Sequence, residues 1–543
     1  MRSFHLSILF ALCTFVASAQ QPADLVVHHG LVYTVNARFD VAEAFAVKDG
    51  RILAVGKNAD ILRDYRAKTV LNAGGKPIYP GFIDAHAHFY RYGLSLQRVN
   101  LMGTKSWDEV LNRLRTFAAA NPTGWLTGRG WDQNDWSVQE FPTKRDLDQR
   151  FPTRPVLLTR VDGHAAIANQ AALNLAGIKP GQTLPGGSVE TKQGELTGIL
   201  IDNAIELVSR VIPQPSRVQS ENALLGAAQN CFAVGLTTVD DCGLMASEVD
   251  IIDSLQRGNR LRMRLYVMLS DDSLNYVRFL PKGIYKTDWL NVRSFKVYGD
   301  GALGSRGACM LAAYADRPNW RGFLLSTPGH FREVAQRLAA TDFQMCTHAI
   351  GDSANRTMLR IYADALRGKN DKRWRIEHAQ VINQADFRYF GENNIVPSVQ
   401  PTHATSDMYW AMARLGPARL KGAYAFKQLL AQNQWIPLGT DFPVEDISPF
   451  ATFFSAVYRR DAKGFPKGGF SPENALSRME ALRGMTIWAA KSNFEEAEKG
   501  SIEPGKFADF ILLNQDLMKV GLGKILDTRV EATYLNGEVV YKR

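Results

Sequence analysis

Short apolar runs, separated by turn residues and longer amphipathic stretches, set the pattern of this chain. The runs Phe82–His88, Leu236–Asp240, Arg262–Met268, Arg293–Tyr298, Phe343–His348, Trp374–His378, Asn394–Gln400 and Trp435–Thr440 have the length and apolar content of buried strands. Stretches between them have helical spacing, as in Phe331–Ala340, apolar at Val334, Ala335 and Leu338, and in Asn355–Leu366. An α/β alternation of this kind predicts a TIM-like (β/α)8 barrel, with its active site where the strands end. The rhythm is interrupted after the first strand. Roughly 145 residues precede the second, far more than a crossover needs. That stretch holds Trp125, Trp131, Trp136 and a helix-like Ala165–Ala176, and it predicts an inserted subdomain around residues 120–220.

The two ends read differently. Residues 22–77 alternate short β-rich runs with turns, and Asp49-Gly50 suits the positive backbone angles of a tight hairpin. Residues 496–543 repeat that style in Ala508–Leu513 and around Asn536-Gly537. Together they predict a small composite β-sandwich domain, built from both ends of the mature chain and flanking a barrel at 78–495. Before it, Arg2, the apolar Leu6–Val16 and the small-x-small Ala17-Ser18-Ala19 read as a signal peptide over residues 1–19. The expected product is exported, periplasmic or secreted. Its apolar segments are too short for a stable membrane anchor.

Composition narrows the picture only a little. The chain has 543 residues, 45% apolar and 22% charged, an ordinary globular balance. Its formal charge of +10 is spread among acidic residues without a long like-charged run, so a nucleic-acid partner is not expected. Cys231, Cys242, Cys309 and Cys346 form no Cys-x-x-Cys pair, which argues against a thiolate zinc site and favours free thiols.

The chemistry lies at the strand ends. His86 and His88 are two apart on one strand, so both imidazoles can face one ion. A lone His-x-His arises easily by chance. Here Lys296, His348, His378 and Asp441 fall at or just past the ends of other predicted strands, and six such residues read as a metal cage. Imidazole and carboxylate suit divalent zinc, manganese, iron or nickel. A neutral Lys296 in a dry site can react with carbon dioxide to form a bridging carbamate; the alternative is a lysine paired with an acid. Asp441 can ligate an ion and move a proton to or from a metal-activated water; the alternative is a helix N-cap before Pro443. His403, in Gln-Pro-Thr-His403, is placed to polarise a substrate carbonyl or to serve structure. His164, in Asp-Gly-His164, can reach the site from the insertion. Arg306 reads equally as a substrate-binding residue or a structural ion pair, and His28, His29 and His330 read as structural or exposed.

At this point the chain resembles the amidohydrolase superfamily, and more narrowly the amidohydrolase-3 branch that includes N-substituted formamide deformylases. The motifs are Pro-Gly-Phe-Ile-Asp-Ala-His86-Ala-His88, Phe-Lys296-Val-Tyr-Gly-Asp-Gly-Ala-Leu-Gly-Ser-Arg306, His348-Ala-Ile-Gly-Asp352, Arg-Ile-Glu-His378-Ala-Gln, Gln-Pro-Thr-His403, Gly-Thr-Asp441-Phe-Pro-Val and Gly500-Ser-Ile-Glu-Pro-Gly-Lys506-Phe-Ala-Asp509. The resemblance implies two divalent ions, zinc or alternatively manganese, iron or nickel. They would be held by His86, His88, His348, His378 and Asp441 and bridged by carboxylated Lys296. Asp441 would be the proton shuttle, and the Asp-Gly-His164 and Gln-Pro-Thr-His403 motifs, which recur in this branch, favour His164 and His403 toward a small-molecule substrate. The implied activity is hydrolysis of a non-peptide C–N bond in an amide, formamide or cyclic amide by metal-bound hydroxide. An ester, lactone or phosphoester hydrolase on the same fold, and a non-catalytic small-molecule-binding barrel, are the alternatives. Neither a monomer nor a homo-oligomer is singled out.

Overall fold

The computed structural model describes residues 20–160, 163, 165–184 and 187–543, so the expected signal peptide and His164 lie outside the described residues. The described residues divide into two compact units: those of 20–87, 231–245 and 263–543 form one, and those of 88–230 and 246–262 the other.

In the larger unit, seven strands pair side by side, all parallel, in one sheet. They are Phe82–Ala87, Leu236–Leu244, Arg264–Ser270, Leu290–Tyr298, Gln344–Ala349, Arg375–His378 and Val396–Ser398. Their near-continuous burial is what a sheet covered on both faces demands, and it explains the unbroken apolar runs in the sequence. The eighth predicted strand, Trp435–Thr440, is not a regular strand. It nevertheless closes the ring: Val399 N donates to Pro437 O and Gly439 N to Val399 O on one side, and Ala85 N to Leu438 O and Asp441 N to His86 O on the other, at 2.8–3.2 Å. Pro437 has no N–H to give and Asp441 turns into the left-handed region at φ 63°, so a full ladder cannot form there. The TIM-like barrel is therefore present, with an irregular eighth stave. Helices Pro328–Ala339 and Asp352–Leu366 follow the fourth and fifth strands, close to their predicted places.

Two small sheets complete this unit. One orders Arg51–Gly56, Ala44–Lys48, Gln21–His28 and Tyr65–Asn72; the other runs Glu538–Lys542, Val530–Leu535, Phe510–Leu513, Pro77–Pro80, Leu31–Tyr33 and Val41–Ala42. Leu25, Val27, Phe45 and Val47 from one end of the chain share a core with Phe510 and Leu512 from the other. That is the composite sandwich. Asp49 and Gly50 (φ 50° and 74°), and Asn536 and Gly537 (φ 51° and 74°), supply two consecutive positive angles at each hairpin, the reason Asp-Gly and Asn-Gly stand there. A buried Arg264 at the start of the third barrel strand joins sandwich to barrel. It contacts Asp509 with two nitrogens at 2.6 and 2.9 Å, and Asn536 at 2.5 Å.

The second unit carries its own seven-stranded mixed sheet, from Val99–Asn100 to Glu195–Asp202, around a core with Trp131, Trp136 and Leu158. Ala165–Ala176, which reads as a helix, divides in two. Ala165–Ala168 is a buried strand between two antiparallel neighbours, and only Gln170–Leu175 is helical, capped by Asn169. The alanines prefer helix, but burial in a sheet overrides a weak local preference. Among the described residues no helix is long and apolar enough to cross a membrane.

Candidate metal centre

The predicted ligands of the larger unit sit at or near the C-terminal ends of the barrel strands, Asp441 at the end of the irregular eighth stave, and the imidazoles pack against one another. Ring centroids lie 4.9 Å apart for His86 and His378, 4.5 Å for His348 and His378, and 5.7 Å for His378 and His403. Lys296 Nζ is 3.2 Å from His86 Nε2. Asp441 presents one carboxylate oxygen to each side: Oδ1 is 3.7 Å from His86 Nε2, and Oδ2 is 3.5 Å from His403 Nε2. Within the larger unit, donor atoms of His378, His403 and Asp441 all lie within 4.8 Å of one another. His348 belongs to the ring cluster without entering that close group. His88 stands one residue past the first barrel strand, at the N-cap position of helix Phe89–Ser95, where the second unit begins.

The backbone explains how adjacent residues reach one place. Along a strand Glu377 and His378 should point to opposite faces. His378 adopts φ 73°, which ends the strand and lets both side chains approach His86. Asp441, at φ 63°, turns in the same way after Thr440. Such left-handed residues cost energy, and surrounding contacts must hold them. For Asp441 that hold is visible. Asp84 accepts from Thr440 N at 3.0 Å, from Thr440 Oγ1 at 2.6 Å and from His86 N at 3.2 Å. Gly439 lies so close that an added Cβ would stand 2.5 Å from His86 N.

A buried ionic chain supports the imidazoles, and sequence reading assigned it no role. Glu377 Oε2 lies 2.5 Å from His86 Nδ1. Arg375, two residues earlier on the same face, pairs with Glu377 at 2.7 Å and with Asp240 at 2.8 Å. Asn493 donates to Asp240 at 2.6 Å. Bonding through Nδ1 leaves His86 Nε2 directed at the centre. His378 is oriented alike, its Nδ1 2.7 Å from Gln400 Oε1. The available signal was two inward charged residues, at alternate positions, in a strand otherwise apolar.

Electrostatics follow burial. Desolvation, with Lys296 adding to it, pulls His86 down to about 4 despite the opposing Glu377, and His348 down to about 3. His378 is held well below its ordinary value by burial and then by His348 and His86. Burial alone would raise Glu377, but Arg375, His86 and Lys296 outweigh it and keep the carboxylate ionised. Burial opposes the Lys296 ammonium, yet Cys242, Tyr298, Glu377 and Asp441 shift it upward overall. Asp84 is pushed up to about 7 by burial, against the hydrogen bonds from Thr440.

Other candidates are placed less centrally. Arg306 forms an ion pair with Asp316 at 2.8 Å, and Asp316 also holds Arg414. Asp300, in the Gly-Asp-Gly motif after Lys296, accepts from the backbone N–H groups of Cys309, Ile350 and Gly351 at 2.8–2.9 Å, and so fixes the loop beyond His348. The His330 imidazole pairs with Asp271 at 2.6 Å. All four described cysteines are free thiols, three of them buried.

The donor set fits a divalent cation. It combines imidazoles, those of His86, His348 and His378 kept neutral by burial, with one carboxylate. The Nε2 atoms of His348 and His403 are buried without a hydrogen-bond partner among the described residues, a costly state unless something else engages them.

Comparison with known proteins agrees with this geometry. The sequence profile of the amidohydrolase family matches residues 69–541. The chain is 33% identical to Protein LONG AFTER FAR-RED 3 of Arabidopsis thaliana, over 96% of this chain and 92% of that one. It is 26% identical to an N-substituted formamide deformylase of Arthrobacter pascens, over 96% and 99% of the two chains. Among solved structures, it is similar to an uncharacterized metal-dependent hydrolase from Pyrococcus furiosus, with a TM-score of 0.78 and 27% identity over 91% of this chain and 100% of that one. A second such hydrolase, from Pyrococcus horikoshii, gives a TM-score of 0.80 at 24% identity over 92% and 99%. With a barrel whose strand ends gather histidines and an aspartate, and a family match over nearly its whole length, this chain belongs to the amidohydrolase family.

Proposed function

We propose that this metal-dependent hydrolase cleaves the C–N bond of a small amide, formamide or cyclic amide. The observation that carries the reading is the convergence of His86, His348, His378 and His403 on Asp441, with three of these imidazoles held neutral by burial. Likeness to a formamide deformylase along almost the full chain supports the choice of bond. When bound, divalent cations in such a site supply an acidified water and a Lewis acid for the substrate carbonyl. His86, His88, His348, His378 and Asp441 would hold them.

The chain's own residues do the rest. Asp441, its two oxygens facing opposite imidazoles, accepts the proton of the attacking water on a carboxylate oxygen and returns it to the departing nitrogen. Glu377 keeps His86 in the tautomer that offers Nε2. Lys296 as a carbamate would add an anionic donor. Cations a few ångströms away would oppose its ammonium form, so loading and carbamylation are expected to be coupled. We further propose that residues 1–19 direct export; a secreted or periplasmic product beginning at Gln20 supports this, and a retained Met1 contradicts it.

The test is a panel of N-substituted formamides, cyclic amides and simple esters, with amine or acid release followed for the wild type and Asp441→Asn. Amide turnover that falls by about 10³-fold or more in the variant, while its circular dichroism is unchanged, is the expected outcome. Ester-only turnover would overturn the C–N assignment. Near-native activity of the variant would overturn the role of Asp441.

A further inference from the structure

His403 is expected from its motif to face substrate, but its surroundings describe something else. It lies in the first turn of helix Pro401–Leu420, after the seventh barrel strand. Its ring is nearly parallel to that of His378, at an interplanar angle of 15°. Its Nε2 is buried, has no hydrogen-bond partner among the described residues, and points at Asp441 Oδ2 from 3.5 Å. That separation is long for a hydrogen bond. It does match two ligands of one ion: donors about 2.1 Å from a tetrahedral zinc stand about 3.4 Å apart. His378 completes the group, with donor atoms of all three residues within 4.8 Å of one another. Because Gln400 engages His378 Nδ1, the nitrogen left for an ion is Nε2.

We infer that His403 is a direct metal ligand, forming with His378 and Asp441 a second cation seat. In that arrangement Asp441 is a bridge: Oδ2 serves the His403 side, and Oδ1 faces His86 on the other. The inference rests on the proposed metal-dependent function, and it revises the role expected of His403 from carbonyl contact to coordination.

The experiment is zinc titration of the metal-stripped full chain, read as bound zinc per chain by mass spectrometry after equilibrium dialysis, for wild type, His403→Gln and His403→Phe. Thermal melts identify any variant that fails to fold, and 113Cd NMR of the wild type gives an independent count of occupied seats and of their nitrogen donors. Two zinc ions in the wild type and one in either folded variant, or a loss of more than about 100-fold in the weaker affinity, is the expected result. Unchanged stoichiometry and affinity in the variants would overturn His403 as a ligand while leaving the hydrolase reading standing. Absence of zinc binding by the wild type itself would overturn both.

Discussion

Glu377 shows how much of this centre depends on residues that never reach the substrate. Its carboxylate is shared between the His86 imidazole and the Arg375 guanidinium, all of them buried. Glu377→Gln keeps the shape but removes the charge that orients His86. Metal affinity is expected to fall by about 10–100-fold, measured by competition with a chelating dye. Glu377→Ala should also lose about 3–5 kcal/mol of stability in a denaturant titration, because buried Arg375 keeps only one of its two carboxylate partners, Asp240. The titration of the histidines gives a second residue-scale expectation. His86 and His348 have folded values depressed from the ordinary 6.5 to about 4 and about 3. Their contribution to folding is complete above about pH 6.5 and is lost as pH falls through the folded values, because the unfolded chain takes up protons first. Buried Asp84, raised to about 7, shifts stability the opposite way over the same range, so the histidine part is read residue by residue. In metal-free protein the ring 15N shifts of His86 and His348 are expected to show neutral imidazoles at pH 5.5, and protonated rings at that pH would contradict the depressed values.

At the scale of elements, the eighth stave is the critical piece. It carries Asp441, lacks a regular ladder, and touches the first strand at Gly439, where a methyl group would press on the His86 backbone. Gly439→Ala is expected to cost roughly 1–3 kcal/mol, and to weaken metal binding by displacing His86, as thermal melts with and without zinc would show. The same stave marks how far elements were legible in the sequence. Seven barrel strands were readable because buried parallel strands are continuous apolar runs, with ends one or a few residues from those observed. Trp435–Thr440 was readable as apolar, but its irregularity comes from Pro437 and the turn at Asp441, which an apolar pattern does not register. Ala165–Ala168 was misread because alanine runs look helical until neighbouring strands enclose them. Histidines and Asp441 at strand ends stood out by residue type and position. Arg375, Glu377 and Asp240 did not, because their meaning depends on partners far away in sequence.

For the whole molecule, a barrel and a sandwich made from both chain ends are tied through Arg264, Asp509 and Asn536. The composite sandwich puts residues from the start and the finish of the chain into one core, so neither end is expendable for stability. If the barrel's strand ends form a cation-dependent hydrolytic centre, the purified protein must carry divalent metal. The deciding measurement is metal content per chain before and after chelation and reconstitution, with the intact mass recorded under carbon dioxide to detect a carbamate. Stoichiometric divalent metal is expected, two ions per chain at saturation, stripped by chelator and restored on adding the ion. Protein that binds no divalent metal after reconstitution would contradict it.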